Sequence, residues 1–151
     1  MPDPKTNRVR ALSFLPEAEG RLKDIWQDVN VHGLQPRGRV RPEVLDSWLR
    51  CREIGLDPYS ENSPPAISEK KLRILFKRNK ALVEVSKPVM DMIYIAVKGS
   101  GFVITLTEKE GHVLLVRGDQ DILQMAERNF YRAGCLRTIE HSGTNAIGLC
   151  L

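Results

Sequence analysis

The chain has 151 residues, 42% of them hydrophobic and 28% charged, with a net charge of +4. That is the balance of a soluble globular protein, either one ordinary domain or a small domain with a helical extension, and it excludes a disordered tail. No apolar run approaches the roughly 18 residues a membrane-spanning helix needs. The start, Met1-Pro2-Asp3-Pro4-Lys5, has no apolar stretch behind its charge, so no secretory signal and no membrane partner are expected and the location reads as cytoplasmic. Cys51, Cys135 and Cys150 are too few, and odd in number, for a disulfide framework, and fit a reducing compartment.

A short helix is expected around Glu17 to Val29, where Leu22, Ile25, Trp26 and Val29 recur at helical spacing. A loop rich in Gly, Pro and Arg follows from His32 to Arg41. Pro42 suits the first turn of a second helix, where its missing N–H costs nothing. Val44, Leu45, Trp48, Leu49 and Ile54 give that helix a broad apolar face, and Gly55 then fits a left-handed stop that Leu56 can close. Residues 57 to 67 form a turn-rich linker.

Ser68 is placed as the N-cap of the longest helical stretch. Along it Leu72, Leu75, Asn79, Leu82, Ser86, Val89, Ile93 and Val97 step by three and four, with Phe76, Val83, Met90 and Tyr94 widening the seam. Pro88 falls inside and is expected to kink or restart the helix. Phe102 to Thr107 and His112 to Arg117 read as an antiparallel hairpin turning at Glu108-Lys109-Glu110-Gly111. A helix from Gln120 to about Arg128 turns Ile122, Leu123 and Ala126 inward, and Gly143-Thr144 marks a turn and N-cap for a last helix beginning at Asn145. No internal repeat occurs at periods of about 20 to 50 residues.

Catalytic patterns occur by letter and fail by context. Ser68-Glu69-Lys70-Lys71 matches S-x-x-K, yet the Ser-Asp-Asn element and larger body of such enzymes are absent, and Ser68 is better used as a cap. Gly99-Ser100-Gly101 precedes a strand, so no helix N-terminus follows to hold phosphate, and there is no P-loop. Glu108 and Glu110, on a hairpin turn, read as solubilising groups and not as an acid–base pair. Cys135, His141 and Cys150 lack the C-x-x-C knuckle of structural zinc. No catalytic residue, metal site or cofactor is therefore assigned. Ile104, Leu106, Leu114 and Val116 alternate along the hairpin and are candidates for a core or an effector pocket, together with Thr144, as the helix cap, and Asn145.

Three stretches, taken together, resemble the sigma-54-dependent transcriptional activators of the acetoin-catabolism-regulator type. The first runs from Arg41-Pro42-Glu43-Val44 through Ser47-Trp48-Leu49-Arg50-Cys51 to Gly55-Leu56-Asp57-Pro58. The second is Gly99-Ser100-Gly101-Phe102 leading into Leu106-Thr107 and Gly111, and the third is Gly143-Thr144-Asn145-Ala146-Ile147-Gly148. Cys135-Leu136-Arg137-Thr138 departs from that family's C-W-S-E. The resemblance implies an α+β fold: an N-terminal helical region and linker (1–67), a long Pro-kinked helical segment (68–98), and the first half of a GAF-like sensory domain (99–151). It implies a regulatory, signal-sensing and dimerising role, with a small-molecule effector as a partner. DNA and sigma-54 RNA polymerase would be reached through an ATPase and a helix-turn-helix that this chain does not contain.

A two-stranded hairpin is marginal alone in water and leaves an open edge, so self-association is expected, with Leu72, Leu75, Leu82, Val89, Ile93 and Val97 as the dimer seam. Two other readings belong to different classes. One is a small basic nucleic-acid-binding protein using Arg37, Arg39, Arg41 and the helix to Arg52. The other is a stand-alone interaction module acting by mixed dimerisation.

Overall fold

The computed structural model describes residues 22–33, 40–57 and 64–151. The start of the first expected helix at Glu17, the basic residues Arg37 and Arg39, and linker positions 58–63 lie outside them. The chain divides into two compact units, Met1–Leu56 and Asp57–Leu151. The expected α+β class holds: helices accompany one two-stranded antiparallel sheet.

In the first unit, helix α1 covers residues 22–30 and helix α2 Pro42–Glu53. Val29 on α1 and Ser47 and Trp48 on α2 are buried. Pro42 stands in the first turn of α2, after the extended Arg41. At the other end Gly55 takes φ +69, and the Leu56 N–H reaches back to the Cys51 carbonyl at 2.9 Å. That is the left-handed stop expected there. Arg52 donates from Nη1 to the Val29 carbonyl at 3.2 Å, tying α2 to the end of α1.

The second unit begins with α3 (Glu69–Arg78), whose N-cap Ser68 accepts from the Lys71 N–H. α4 (Lys80–Val97) follows after a one-residue interruption at Asn79. The helical segment therefore breaks at Asn79, while α4 continues through Pro88. Asn79 sends its own Nδ2 to the Leu75 carbonyl at 3.0 Å, and a short amide side chain that competes for backbone acceptors loosens the ladder at that point. Pro88 and Glu84 both lie on the exposed side of α4, where the carbonyl that proline leaves without a donor can be solvated.

Strands β1 (Val103–Thr107) and β2 (Val113–Gly118) form the hairpin, and α4 and α5 (Gln120–Arg128) pack against it. Val113 and Leu114 are fully buried. A bulge between Leu106 and Thr107 places one extra residue, Leu114, on β2. β2 does not have a free outer edge at its start. Val113 exchanges backbone hydrogen bonds with Gly134 and Cys135, and segment 134–136 in turn bonds to Pro65 and Ile67. The outer edge of β1 has no ladder partner among the described residues. Two short helices, α6 (Ile139–Ser142) and α7 (Ala146–Cys150), complete the unit.

Candidate functional site

The hairpin register distributes the four candidate pocket residues over two faces. Ile104 pairs with Arg117 and Leu106 with Leu115, whereas Val116 pairs with Thr105. Directly paired residues of an antiparallel ladder point to the same side. Ile104 and Leu106 thus share a face with Leu115 and Arg117, and Val116 belongs to the other. Arg117 donates from Nε to Asp91 of α4 at 2.9 Å, so the Ile104 face looks toward that helix. Leu114 is the bulged residue and is buried.

The hairpin turn is built around a carboxylate that the sequence suggests is merely solubilising. Glu108 is only 7% exposed. Its Oε2 accepts from the Glu110 N–H at 2.9 Å, and its Oε1 accepts from the His112 N–H and meets His112 Nδ1, both at 3.0 Å. Burial alone would raise the Glu108 carboxyl. The backbone N–H donors of His112 and Glu110, with the imidazole beside them, outweigh it and hold the group below the ordinary carboxylate range. Glu108, Glu110 and His112 bring one potential donor atom each within 4.8 Å of one another. Both oxygens of Glu108 are already committed to closing the turn, which gives the cluster a structural explanation.

Asn145 is half-buried and organises the Gly143–Gly148 stretch. Its Oδ1 accepts from the Ile147 and Gly148 N–H groups, both at 3.1 Å, which makes it the N-cap of α7. The cap lies one residue beyond Thr144, the position expected from the sequence. Its Nδ2 donates to the Arg137 carbonyl at 3.1 Å and to the Gly143 carbonyl at 2.8 Å. All four hydrogen-bonding positions of the amide are filled, which no other side chain of that length can do. The glycines of the stretch have separate reasons. Gly143 sits at φ +66, and a Cβ on Gly148 would lie 2.9 Å from Ile139 Cγ1 and 3.0 Å from the Ile139 backbone nitrogen. Thr144, also half-buried, takes part in interactions of its own.

Arg137 connects these two features. Its N–H donates to the Gly111 carbonyl in the hairpin turn at 2.9 Å, and its carbonyl receives Asn145. The side chain is buried, with the guanidinium carbon 4.1 Å from the centroid of the Tyr131 ring.

Of the seam residues, Leu72, Leu75 and Val97 are half-buried, and Leu82, Val89 and Ile93 are exposed. Val83 and Met90 are the residues α4 buries within its own unit. Val85 (71% exposed) and Met92 (65%) join Leu82 and Val89 on the outward side. Leu82, Val85, Val89, Met92 and Ala96 then make a continuous apolar stripe at steps of three and four.

No family model matches the chain. It is similar to proteins of transcriptional control. One is the signal-transduction and transcriptional-control protein of Clostridium beijerinckii, 33% identical over 105 residues that make up 70% of this chain and 17% of that protein. Another is the acetoin dehydrogenase operon transcriptional activator AcoR of Bacillus subtilis (strain 168), 28% identical over 126 residues, 83% of this chain and 21% of AcoR. The chain thus spans about a fifth of the length of these relatives. Its fold is shared with a chain in the crystal structure of the E. coli DhaR(N)–DhaL complex, with a TM-score of 0.68 at 18% identity, covering 72% of this chain and 37% of that one. Among the described residues no helix is long and apolar enough to cross a membrane.

Proposed function

We propose that this chain is a regulatory, signal-sensing region of a sigma-54-dependent transcriptional activator and that it works as a dimer, not as an enzyme. The observation that carries this reading is its similarity, over 126 residues, to a transcriptional activator. On this reading the Asp57–Leu151 unit is the GAF-like sensory part. Residues 99–151 supply its first half, and further strands would join at the unpaired edge of β1. Ile104 and Leu106, which share one face of the hairpin, would line its core or effector pocket with the buried Leu114, and Val116 would face the other way. DNA and RNA polymerase would be engaged by an ATPase and a helix-turn-helix elsewhere in the activator.

A chimeric activator tests the regulatory role. This chain replaces the matching region of AcoR, and transcription from the acetoin dehydrogenase operon promoter is measured. The reading expects output that differs from that of AcoR with the region deleted and of AcoR carrying an unrelated domain of equal size. Equal output from all three would sink it.

On this reading the dimer would form along the outward stripe of α4. Its three–four spacing is that of a helix seam that can meet a second copy of itself, and the Lys80–Glu84 ion pair flanks it on the exposed side. The half-buried Leu72, Leu75 and Val97 would frame the contact. Val85→Lys together with Met92→Lys should convert the dimer to a monomer in sedimentation velocity without loss of helical signal. A wild-type chain that stays monomeric at high concentration would refute the placement.

A further inference from the structure

Among the described residues of the second unit, Glu108 and Arg137 bury a charged side chain, and they differ in one respect. Glu108 is surrounded by donors: the N–H groups of Glu110 and His112 and the His112 ring. Arg137, 8% exposed, has no such complement. Its Nη1 donates to the Asn129 carbonyl at 3.2 Å, and one face of the guanidinium rests on Tyr131. Its Nε is buried and meets no acceptor. No ion pair forms at Arg137 among the described residues, although the same unit supplies carboxylates to Arg73 and Arg117.

Burying a cation without a counter-ion is costly, and a ring face or one carbonyl offsets only part of that cost. The residue is held at both levels. Its N–H is bound by Gly111 and its carbonyl by Asn145, while Asn129 and Tyr131 hold the guanidinium. The flanking loop is held as well. Phe130, at φ +62, is the non-glycine residue with positive φ among those described. Its N–H and that of Tyr131 bond back to Glu127 and Ala126 of α5 at 3.0 and 2.8 Å. Tyr131 is thereby fixed beneath the guanidinium.

We propose that Arg137 anchors a binding site for a small monocarboxylic acid, whose carboxylate accepts from the buried Nε edge of the guanidinium. That edge carries parallel N–H groups and matches the two oxygens of a carboxylate. A single cation calls for a single negative charge, and with Tyr131 closing one face the acceptor must approach in the guanidinium plane. The proposal deepens the sensing role by giving the effector a chemical class. It rests on the geometry at Arg137, and its test reads binding and not transcription, so either can fail while the other stands.

The test follows the Arg137 Nε–Hε signal in nitrogen–proton correlation spectra of the whole chain, assigned by its loss in Arg137→Lys. Sodium acetate and then sodium butyrate are added at constant ionic strength maintained with sodium chloride. The expected result is a saturable shift of that signal and a higher melting temperature in the acid than in chloride. Both effects should be absent in Arg137→Lys. The melting comparison on the wild-type chain stands even if the variant folds poorly. A signal that does not move, or moves without saturating, means that water alone satisfies Nε and overturns the proposal. A signal that already moves with protein concentration, without added acid, assigns the carboxylate to a second copy of the chain and overturns it equally.

Discussion

Replacing Asn145 by alanine separates a structural role for this residue from a ligand-contacting one. The amide accepts from two N–H groups at the start of α7 and donates to the carbonyls of Arg137 and Gly143. Losing an N-cap costs about 1 kcal/mol, and each of the two donated bonds contributes about 1 kcal/mol more. The freed carbonyls are half-buried and can be partly rehydrated, so Asn145→Ala is expected to lower stability by about 2–3 kcal/mol. Asn145→Ser keeps a capping oxygen and loses both donors, for a cost of about 1–2 kcal/mol. Asn145→Asp keeps the cap but turns an oxygen toward two carbonyls, and should cost at least as much as serine. Urea unfolding followed by far-ultraviolet circular dichroism measures these differences. Tryptophan fluorescence would not, because Trp26 and Trp48 both lie in the other compact unit. Amide exchange at Ile147 and Gly148 gives the local readout, faster in alanine and largely protected in serine. An alanine variant within about 0.5 kcal/mol of wild type, the range of an inert surface change, would refute this account and return Asn145 to the list of ligand contacts.

Gly148→Ala sets two effects against each other. Helix propensity favours alanine by about 1 kcal/mol, whereas overpacking against Ile139 costs about 1–3 kcal/mol. A net loss of about 1 kcal/mol is expected in the same urea titration, and a gain would contradict the close approach of α6 and α7. Glu108→Gln should destabilise the chain at neutral pH. The folded-state pKa of Glu108 is depressed, so its contribution is fully present above the ordinary carboxyl value of 4.5 and disappears as pH falls through the lower folded value. The melting-temperature gap between wild type and variant should therefore narrow below that value, and a gap independent of pH would refute the clamp. Tyr94 donates to Asp119 at 3.0 Å, and that bond raises its pKa by holding the phenol protonated. Asp119→Asn should bring the Tyr94 titration, read by ultraviolet absorbance, back toward 10.

Elements announced by short-range signals were legible in the sequence. Pro42 and Gly55 bracket α2, Ser68 starts α3, and two β-rich runs separated by Glu108-Lys109-Glu110-Gly111 form the hairpin. Helix α6, with four residues, is too short to show a period. The break at Asn79 was obscured because an apolar seam continues across it, and Pro88 offered the more obvious interruption. Pairing of segment 65–67 with 134–136 joins distant parts of the chain, and nothing local in either stretch encodes it. The bulge at Leu114 altered the inward set, because simple alternation cannot reveal an inserted residue.

Arg137 is the sharpest case. Read along the chain it is a charged residue between Leu136 and Thr138, and such a residue belongs in solvent by default. Its backbone is held by two bonds that neither its own identity nor its neighbours in sequence specify, one from the hairpin turn and one from Asn145, and its side chain rests against Asn129 and Tyr131. The same two bonds give the site a built-in consequence. Glu108 holds the turn that presents Gly111, and Asn145 holds the start of α7, so the Arg137 backbone stands between the two elements. Loosening either one should also release the arginine. Asn145→Ala and Glu108→Gln should therefore weaken carboxylate binding at Arg137 as well as stability, although neither side chain is placed in contact with the acid. Gly148→Ala would set its Cβ 3.1 Å from Asn145 Nδ2, the donor to the Arg137 carbonyl, and should likewise weaken binding along with stability. If all three variants lose binding in proportion to stability alone, the coupling through Arg137 is absent and the site reports only global folding.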